Sequence, residues 1–317
     1  MKIAVLDAGT LGDDLSLSPL SEFGQVEIYR ETPPELVAKR IADVDIAVLN
    51  KVRLGANNLG GAKKLKLICI TATGFDNVDT AYCRTAGIGV VNVVGYSTDS
   101  VAQITLSLVL SLFSHLREYD EYVRSGKYSA GTAHNRLVPV YRELAGKTWG
   151  VVGYGNIGRK VAAVAGALGC RVVCTRKCPT GDESAEVLPI DELLSVSDVV
   201  TLHVPLNEGT KNLISRERLA LLKPDAVLVN AARGGVWDEQ AVAEALLAGK
   251  IGGIGSDVYA VEPMAKDHPF ASLAGSDRAI FTPHMAWGAY EARVRCLDDI
   301  CQSIRSFLSG GKRSRIV

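Results

Sequence analysis

The sequence has no excess of charge of either sign: 35 Lys and Arg stand against 35 Asp and Glu. A balanced chain offers no broad basic field to nucleic acid or to an anionic membrane, so a small-molecule partner is expected. Long apolar runs are missing too. The opening Met-Lys-Ile-Ala-Val-Leu-Asp is interrupted by Asp7 far short of a signal-peptide core. The most apolar stretch, 101–113, is broken by Gln103, Thr105, Ser107 and Ser111 and is too short to span a bilayer. A soluble, cytoplasmic protein is therefore expected. No internal repeat and no low-complexity tract is present. The cysteines number seven, and an odd count without a secretory signal argues for free thiols in a reducing compartment. Cys170, Cys174 and Cys178 have no fourth ligand at close spacing, and the first two fall in or beside a strand-like run. They read as small buried hydrophobes, and no metal site is expected.

At 317 residues the chain is too long for one ordinary core and fits two α/β domains, for which its 47% hydrophobic content suffices. Its organising stretch is 148–158, Thr-Trp-Gly-Val-Val-Gly-Tyr-Gly-Asn-Ile-Gly. A strand-like run leads into Gly153, Gly155 and Gly158, and 159–168 then sets Val161, Ala162, Ala165 and Leu168 on one helical face. In this GxGxxG spacing the first glycine permits a tight turn, the second lets the backbone approach a pyrophosphate, and the third lets helix pack on strand. The helix N-terminus adds unpaired N–H groups. A dinucleotide is expected on this turn, against Tyr154, Asn156 and Ile157 as well as the glycines.

Short β-branched runs at 3–6, 26–29, 46–49, 67–71 and 89–93 precede the motif, with a helix over 34–41 that places Leu36, Val37 and Ile41 on one face. After the motif, strands are expected at 171–175, 199–204, 226–231, 254–258 and 279–281, and helices at 190–195, 216–222 and 239–248. This alternation implies parallel sheets covered on both sides. A long helix over 101–124, capped by Asp99 or Ser100, is apolar nearly all round its first half and must be buried. The stretch 125–141, with Gly126, Gly131 and Pro139, reads as a loop. A last helix over 289–308 is expected to pack back on the first domain. The expected fold is α/β: two doubly wound parallel-sheet domains with a cleft between them. The first, flavodoxin-like, spans 1–97 plus 286–317 and takes the substrate; the second, Rossmann-type, spans 98–285 and takes the dinucleotide.

Strand ends of the second domain carry a series of polar segments: Asn230-Ala231-Ala232-Arg233-Gly234, Asp257-Val258 with Glu262-Pro263, and Thr282-Pro283-His284. Ligands of open parallel sheets bind outside the carboxyl ends of the strands, so these residues can converge beside the nucleotide. An Arg, a Glu and a His make one anion clamp and one acid/base pair. His203, at another strand end with Val204 and Pro205, is expected to line the cofactor through its backbone; His115, His134 and His268 read as structural or exposed.

In these segments, and in Ala72-Thr73-Gly74-Phe75-Asp76-Asn77-Val78-Asp79, the chain resembles the D-isomer-specific 2-hydroxy acid dehydrogenases along essentially its whole length. The resemblance implies that Arg233 holds the substrate carboxylate and carbonyl oxygen, as a planar guanidinium that stays charged can do. It implies that His284 exchanges a proton with that oxygen, and that Glu262 fixes the imidazole and favours its charged form. It further implies backbone anchoring of the carboxylate at Thr73 and Gly74, and cofactor contacts from Ala231, Ala232, Asp257 and Gly288. Asn50-Lys51-Val52, the segment 96–103 and His284-Met285-Ala286-Trp287 resemble the glycerate dehydrogenase or hydroxypyruvate reductase subgroup, with Val52 and Trp287 as substrate residues. A homodimer formed through the 98–124 helix and the cofactor domain is expected.

The Rossmann rule places an acidic residue for NAD at the end of the second strand. Here that place reads Thr175-Arg176-Lys177. A basic pair suits the extra 2′-phosphate of NADP, so NADP(H) is the expected cofactor, with NAD possible. Glyoxylate, hydroxypyruvate and an aryl pyruvate remain open as substrates. So does a phosphoglycerate dehydrogenase reading, in which Lys51 and Arg53 meet a phosphate, and a nucleotide-sensing interaction protein akin to the corepressors of this fold.

Overall fold

The structure, a computed structural model, describes residues 1–181 and 183–317, which divide into two units, Met1–Ser97 with Gly288–Val317, and Thr98–Trp287. The boundary falls after Trp287 because Ala286 donates its N–H to Asp257 Oδ2 at 2.9 Å and Trp287 donates Nε1–H to the His284 carbonyl at 3.1 Å.

In the first unit β1 (Lys2–Val5), β2 (Gln25–Ile28), β3 (Ile46–Leu49), β4 (Leu67–Ile70) and β5 (Gly89–Val91) form a parallel sheet in the order β2-β1-β3-β4-β5. That is the flavodoxin-like order. Strands β3 and β4 are buried at every residue, as a strand covered on both faces must be, and read as unbroken apolar runs for the same reason. The helix Pro34–Ile41 turns Val37 and Ile41 inward. The last helix, Tyr290–Leu308, lies in this unit: Arg293 donates to the Leu11 carbonyl at 2.7 Å and Arg305 Nε to Glu22 Oε1 at 2.8 Å.

The second unit holds β6 (Thr148–Val152), β7 (Arg171–Thr175), β8 (Glu186–Val187), β9 (Val199–Leu202), β10 (Val227–Asn230), β11 (Gly253–Ser256) and β12 (Ala279–Phe281). Their order is β12-β11-β10-β9-β6-β7-β8, all parallel, so the chain reverses direction across the sheet between β6 and β9. This is the Rossmann order with one further strand, and its reversal is the topological switch point where ligands bind. The α/β class and both doubly wound sheets are thus as expected.

The long helix is not. It breaks into Thr98–Phe113 and Leu116–Arg124, bent by 66°, at His115, whose φ of 50° is left-handed and cannot continue a right-handed helix. The first piece is buried along Val101, Ala102, Leu108, Val109 and Leu112, with Leu108 seated over Gly255 of β11. The second has no buried residue. The stretch expected as loop contains one helical turn, Lys127–Ala130, and the short strand β8 and the helices Ala56–Leu59 and Thr80–Ala86 carry too little periodicity to be read beforehand. Among the described residues no single helix is long and apolar enough to cross a membrane. All seven cysteines are unpaired thiols and only Cys178 is exposed.

Candidate active site

The glycine turn sits at the switch point. Val152 pairs with Thr175 of β7 and Leu202 of β9, and the chain then enters Gly153 at φ +98°. A side chain there would come within 2.7 Å of the His203 carbonyl, and one at Gly158 within 2.1 Å of the Gly153 oxygen. These two glycines close the junction of β6 with the helix Asn156–Ala167. Gly155 differs: a Cβ there would meet nothing within 4 Å. The backbone is therefore open at the one glycine of the three where a pyrophosphate has to approach, and it opens onto the N–H groups of Asn156 and Ile157 at the helix start, which have no acceptor within the helix. The residues fit the phosphates of a dinucleotide. Tyr154 contributes backbone only, because its side chain is buried and its hydroxyl meets Ser184 Oγ at 2.7 Å.

His203 donates its N–H to the Val152 carbonyl at 2.7 Å, so its main chain, and Val204 behind it, lie against Gly153. Its covered Nε2 has no hydrogen-bond partner among the described residues, and burial pushes the imidazole down to about 3. The ring is neutral at physiological pH, which suits a lining residue and not a proton donor. Pro205 follows in the same loop, its carbonyl accepting from Thr210 Oγ1 at 2.6 Å.

The loop after β7 abuts the glycine turn, since Gly153 donates its N–H to the Thr175 carbonyl at 2.9 Å. Arg176 is engaged there: its Nη1 meets Glu183 Oε1 at 2.8 Å and Thr180 Oγ1 at 3.0 Å. Glu183 also accepts from the N–H of Thr180, the largest cause of its carboxyl being held down at about 2. Lys177, beside it, is a further cation.

Three other loops carry the polar series. Asn230, fully buried at the end of β10, accepts from the Ala232 N–H at 3.0 Å and donates to the Arg233 carbonyl at 2.9 Å, which shapes the turn of Ala231, Ala232 and Arg233. One guanidinium N–H of Arg233 goes to the Ala232 carbonyl at 2.8 Å. The next residue, Gly234, is pressed against the following loop: a Cβ would lie 1.9 Å from the Tyr259 carbonyl carbon. In that loop Tyr259 N–H donates to Glu262 Oε1 at 3.1 Å, and Glu262 Oε2 meets His284 Nδ1 at 2.6 Å. His284 itself has φ 52°, left-handed geometry that strand-end functional residues accept at some cost in strain.

Asp257 has a larger role than sequence reasoning assigned to it. Its carboxylate is 1% exposed and accepts from Thr282 Oγ1 at 2.6 Å and from the N–H groups of Met285 and Ala286 at 2.9 Å each, so it clamps both sides of His284. Tyr259 bridges the same loops, its hydroxyl donating to the Thr282 carbonyl at 3.0 Å; burial pushes that phenol up to about 12, so it keeps its proton. Behind it a buried pair, His268 Nε2 and Glu239 Oε2 at 2.9 Å, fixes the Ala260 N–H through Glu239 Oε1 at 2.9 Å. Tyr259, Glu239 and His268 were not legible as site residues; a buried carboxylate facing a histidine 29 positions away has no local pattern.

In the first unit Val52 donates its N–H to Asp7 Oδ2 at 3.1 Å and packs on the core, so that donor is committed. Asp7, its carboxyl pushed up by burial, also accepts from Asn50 and Lys51. Thr73 and Gly74 stand differently: among the described residues no acceptor meets their N–H groups, while Thr73 is held through Oγ1 to the Val93 carbonyl and through its own carbonyl to Asn92. Gly288, expected at the cofactor, falls in this unit, its carbonyl accepting from Arg293 Nε at 2.9 Å. Among the described residues no group of three or more His, Cys, Asp or Glu is placed to hold a metal ion.

A glycine turn at the switch point of a parallel sheet, followed by strand-end loops carrying a paired acid and base, defines a dinucleotide-dependent oxidoreductase. Residues 106–286 match the family described as D-isomer specific 2-hydroxyacid dehydrogenase, NAD binding domain. The chain is 36% identical to the glycerate dehydrogenase of Methylorubrum extorquens over 98% of its own length and 96% of that protein's, and 33% identical to the hydroxypyruvate reductase of Blautia hydrogenotrophica over 98% of each. Its fold matches that of an acyclic imino acid reductase in complex with NADPH and D-Arg, with a TM-score of 0.89, 28% identity and all of both chains covered. The chain belongs to the D-isomer specific 2-hydroxyacid dehydrogenase family. It is an oxidoreductase that acts on a CH–OH group by hydride transfer with a nicotinamide cofactor.

Proposed function

We propose that the chain reduces small 2-keto acids of the hydroxypyruvate and glyoxylate type to D-2-hydroxy acids, with NADPH preferred. The observation that carries the catalytic part is the 2.6 Å contact of His284 Nδ1 with Glu262. A carboxylate on Nδ1 keeps a proton on that nitrogen and fixes the ring, which makes Nε2 the atom that gives a proton to the substrate oxygen and takes it back in oxidation. Arg233 holds the substrate carboxylate and polarises the carbonyl with its remaining N–H groups. Thr73 and Gly74 are proposed as further carboxylate donors, and Trp287, its ring fixed by the bond to the His284 carbonyl, as a wall of the substrate pocket. Bound along the glycine turn, the cofactor supplies or accepts the hydride at the reacting carbon.

The substrate class is supported by the names of the two relatives, and the NADPH preference by Arg176 and Lys177 at the end of β7, where no carboxylate precedes them. Initial rates with hydroxypyruvate, glyoxylate and phenylpyruvate, each with NADPH and NADH, test both. Faster turnover of a small acid with NADPH is expected. A higher rate with NADH overturns the cofactor reading, and no turnover of any keto acid favours a nucleotide-sensing role instead.

A homodimer is proposed from the exposed apolar side chains Leu116, Val123, Leu137, Val138, Val140 and Tyr141, on and after the uncovered helix Leu116–Arg124. Exposed apolar side chains gathered in one stretch of chain are what a subunit contact would cover. Light scattering should give twice the 33.8 kDa chain mass, and Val138→Asp with Val140→Asp should halve it. A monomer mass for the unaltered chain removes the proposal.

A further inference from the structure

The loop that follows β7 contains an anion cradle that the chain fills itself. Four donors converge on the Glu183 carboxylate: Arg176 Nη1 at 2.8 Å, the Thr180 N–H at 2.8 Å and the Thr180 hydroxyl at 2.9 Å on Oε1, and the Gly181 N–H at 2.9 Å on Oε2. The Glu183 side chain is only 3% exposed and that of Arg176 24%, so this is no loose surface pair. The arrangement is fastened to the dinucleotide turn at both ends. Thr175 accepts the Gly153 N–H, and Ser184, the neighbour of Glu183, meets the hydroxyl of Tyr154 from within the glycine motif at 2.7 Å. A guanidinium, a hydroxyl and successive backbone N–H groups are the donor set that binds phosphate.

We propose that Glu183 sets the strength of the preference for NADP over NAD, by occupying with its carboxylate the donors that the 2′-phosphate needs. The proposal rests on the reading that this loop receives the adenosine ribose. In the free chain Arg176 and Glu183 cancel, and the stretch 175–184, which also carries Lys177 and Asp182, has no net formal charge. To be held by Arg176, a phosphate dianion has to share or displace the carboxylate, and until it does the two anions repel across a few ångströms. A ribose bearing a plain 2′-hydroxyl meets no such repulsion. Glu183 therefore lowers the affinity for NADPH while leaving that for NADH almost unchanged, and an enzyme that carries a basic pair at this place keeps access to both cofactors.

Calorimetric titration with adenosine 2′,5′-bisphosphate and adenosine 5′-monophosphate isolates the phosphate contact without turnover. Glu183→Gln is the informative variant, because its amide oxygen in the place of Oε1 still accepts from Thr180 and only the Gly181 bond on Oε2 is lost; thermal unfolding like the parent's verifies that the loop stays closed. It should bind the bisphosphate and NADPH about tenfold more tightly, and the monophosphate and NADH within about twofold of the parent. Arg176→Gln in the same titrations should weaken the bisphosphate alone. If Arg176→Gln weakens the bisphosphate and Glu183→Gln leaves it unchanged or weaker, Glu183 is a loop fastener and the proposal fails while the cofactor reading stands. If neither variant changes bisphosphate binding, the loop does not receive the phosphate and both fall.

Discussion

His284→Ala is expected to lower kcat for 2-keto acid reduction by about 10²–10⁴-fold, the usual worth of a positioned proton donor. KM should move little, because substrate anchoring is assigned to Arg233 and not to the imidazole. Glu262→Gln should cost less, about tenfold, since an amide oxygen can still accept from Nδ1–H and hold the ring while the stronger charge-assisted bond is lost. Reduction consumes one proton for each hydride transferred and oxidation releases one, so the loss should appear in both directions. Steady-state rates in both directions provide the check. A His284→Ala enzyme within a factor of about three of the parent would remove His284 from the role.

The second large effect is structural. A Cβ at Gly234 would lie 1.9 Å from the Tyr259 carbonyl carbon and 2.1 Å from the Ala260 nitrogen. These are main-chain atoms, which cannot swing aside as the tip of a side chain can. Gly234→Ala must therefore force apart the loop that carries Arg233 and the loop that carries Glu262. A loss of about 3 kcal/mol in unfolding free energy is expected, the upper end of what overpacking ordinarily costs. Activity should fall with it. Gly155→Ala is the control: its φ of −85° suits alanine and nothing lies within 4 Å of the added carbon. Its stability should stay within about 0.5 kcal/mol of the parent, while affinity for the dinucleotide falls because a methyl group stands where the pyrophosphate approaches. Denaturant titration of both variants decides the matter, and equal destabilisation of the two would contradict the packing argument.

Much of the second unit was legible in advance because its signals are local. A glycine spacing, a β-branched run and a helical face are each set by neighbours within about ten residues. That is why strands at Arg171–Thr175 and Ala279–Phe281 agree with expectation to the residue. The helix over 101–124 failed on the same ground: its apolar pattern runs through His115, and nothing in that residue type announces a left-handed φ. Arg176 illustrates a subtler limit. Its position after β7 could be counted from the glycines, but its partnership with Glu183 could not, because a loop without periodicity does not reveal which carboxylate folds back.

By itself, then, the sequence determined the strand–turn–helix at Gly153–Gly158, the two sheets and the candidates Arg233, Glu262 and His284, since residue type and spacing carry that information directly. Only the tertiary structure decided that Asp257 clamps the loop on both sides of His284, that Tyr259, Glu239 and His268 support Glu262 from behind, and that Gly234 admits no side chain. Those contacts join residues more than twenty positions apart. They exist because β10, β11 and β12 lie side by side with their carboxyl ends level, and the order of strands in a sheet is a property of the packed chain, not of any one of its segments.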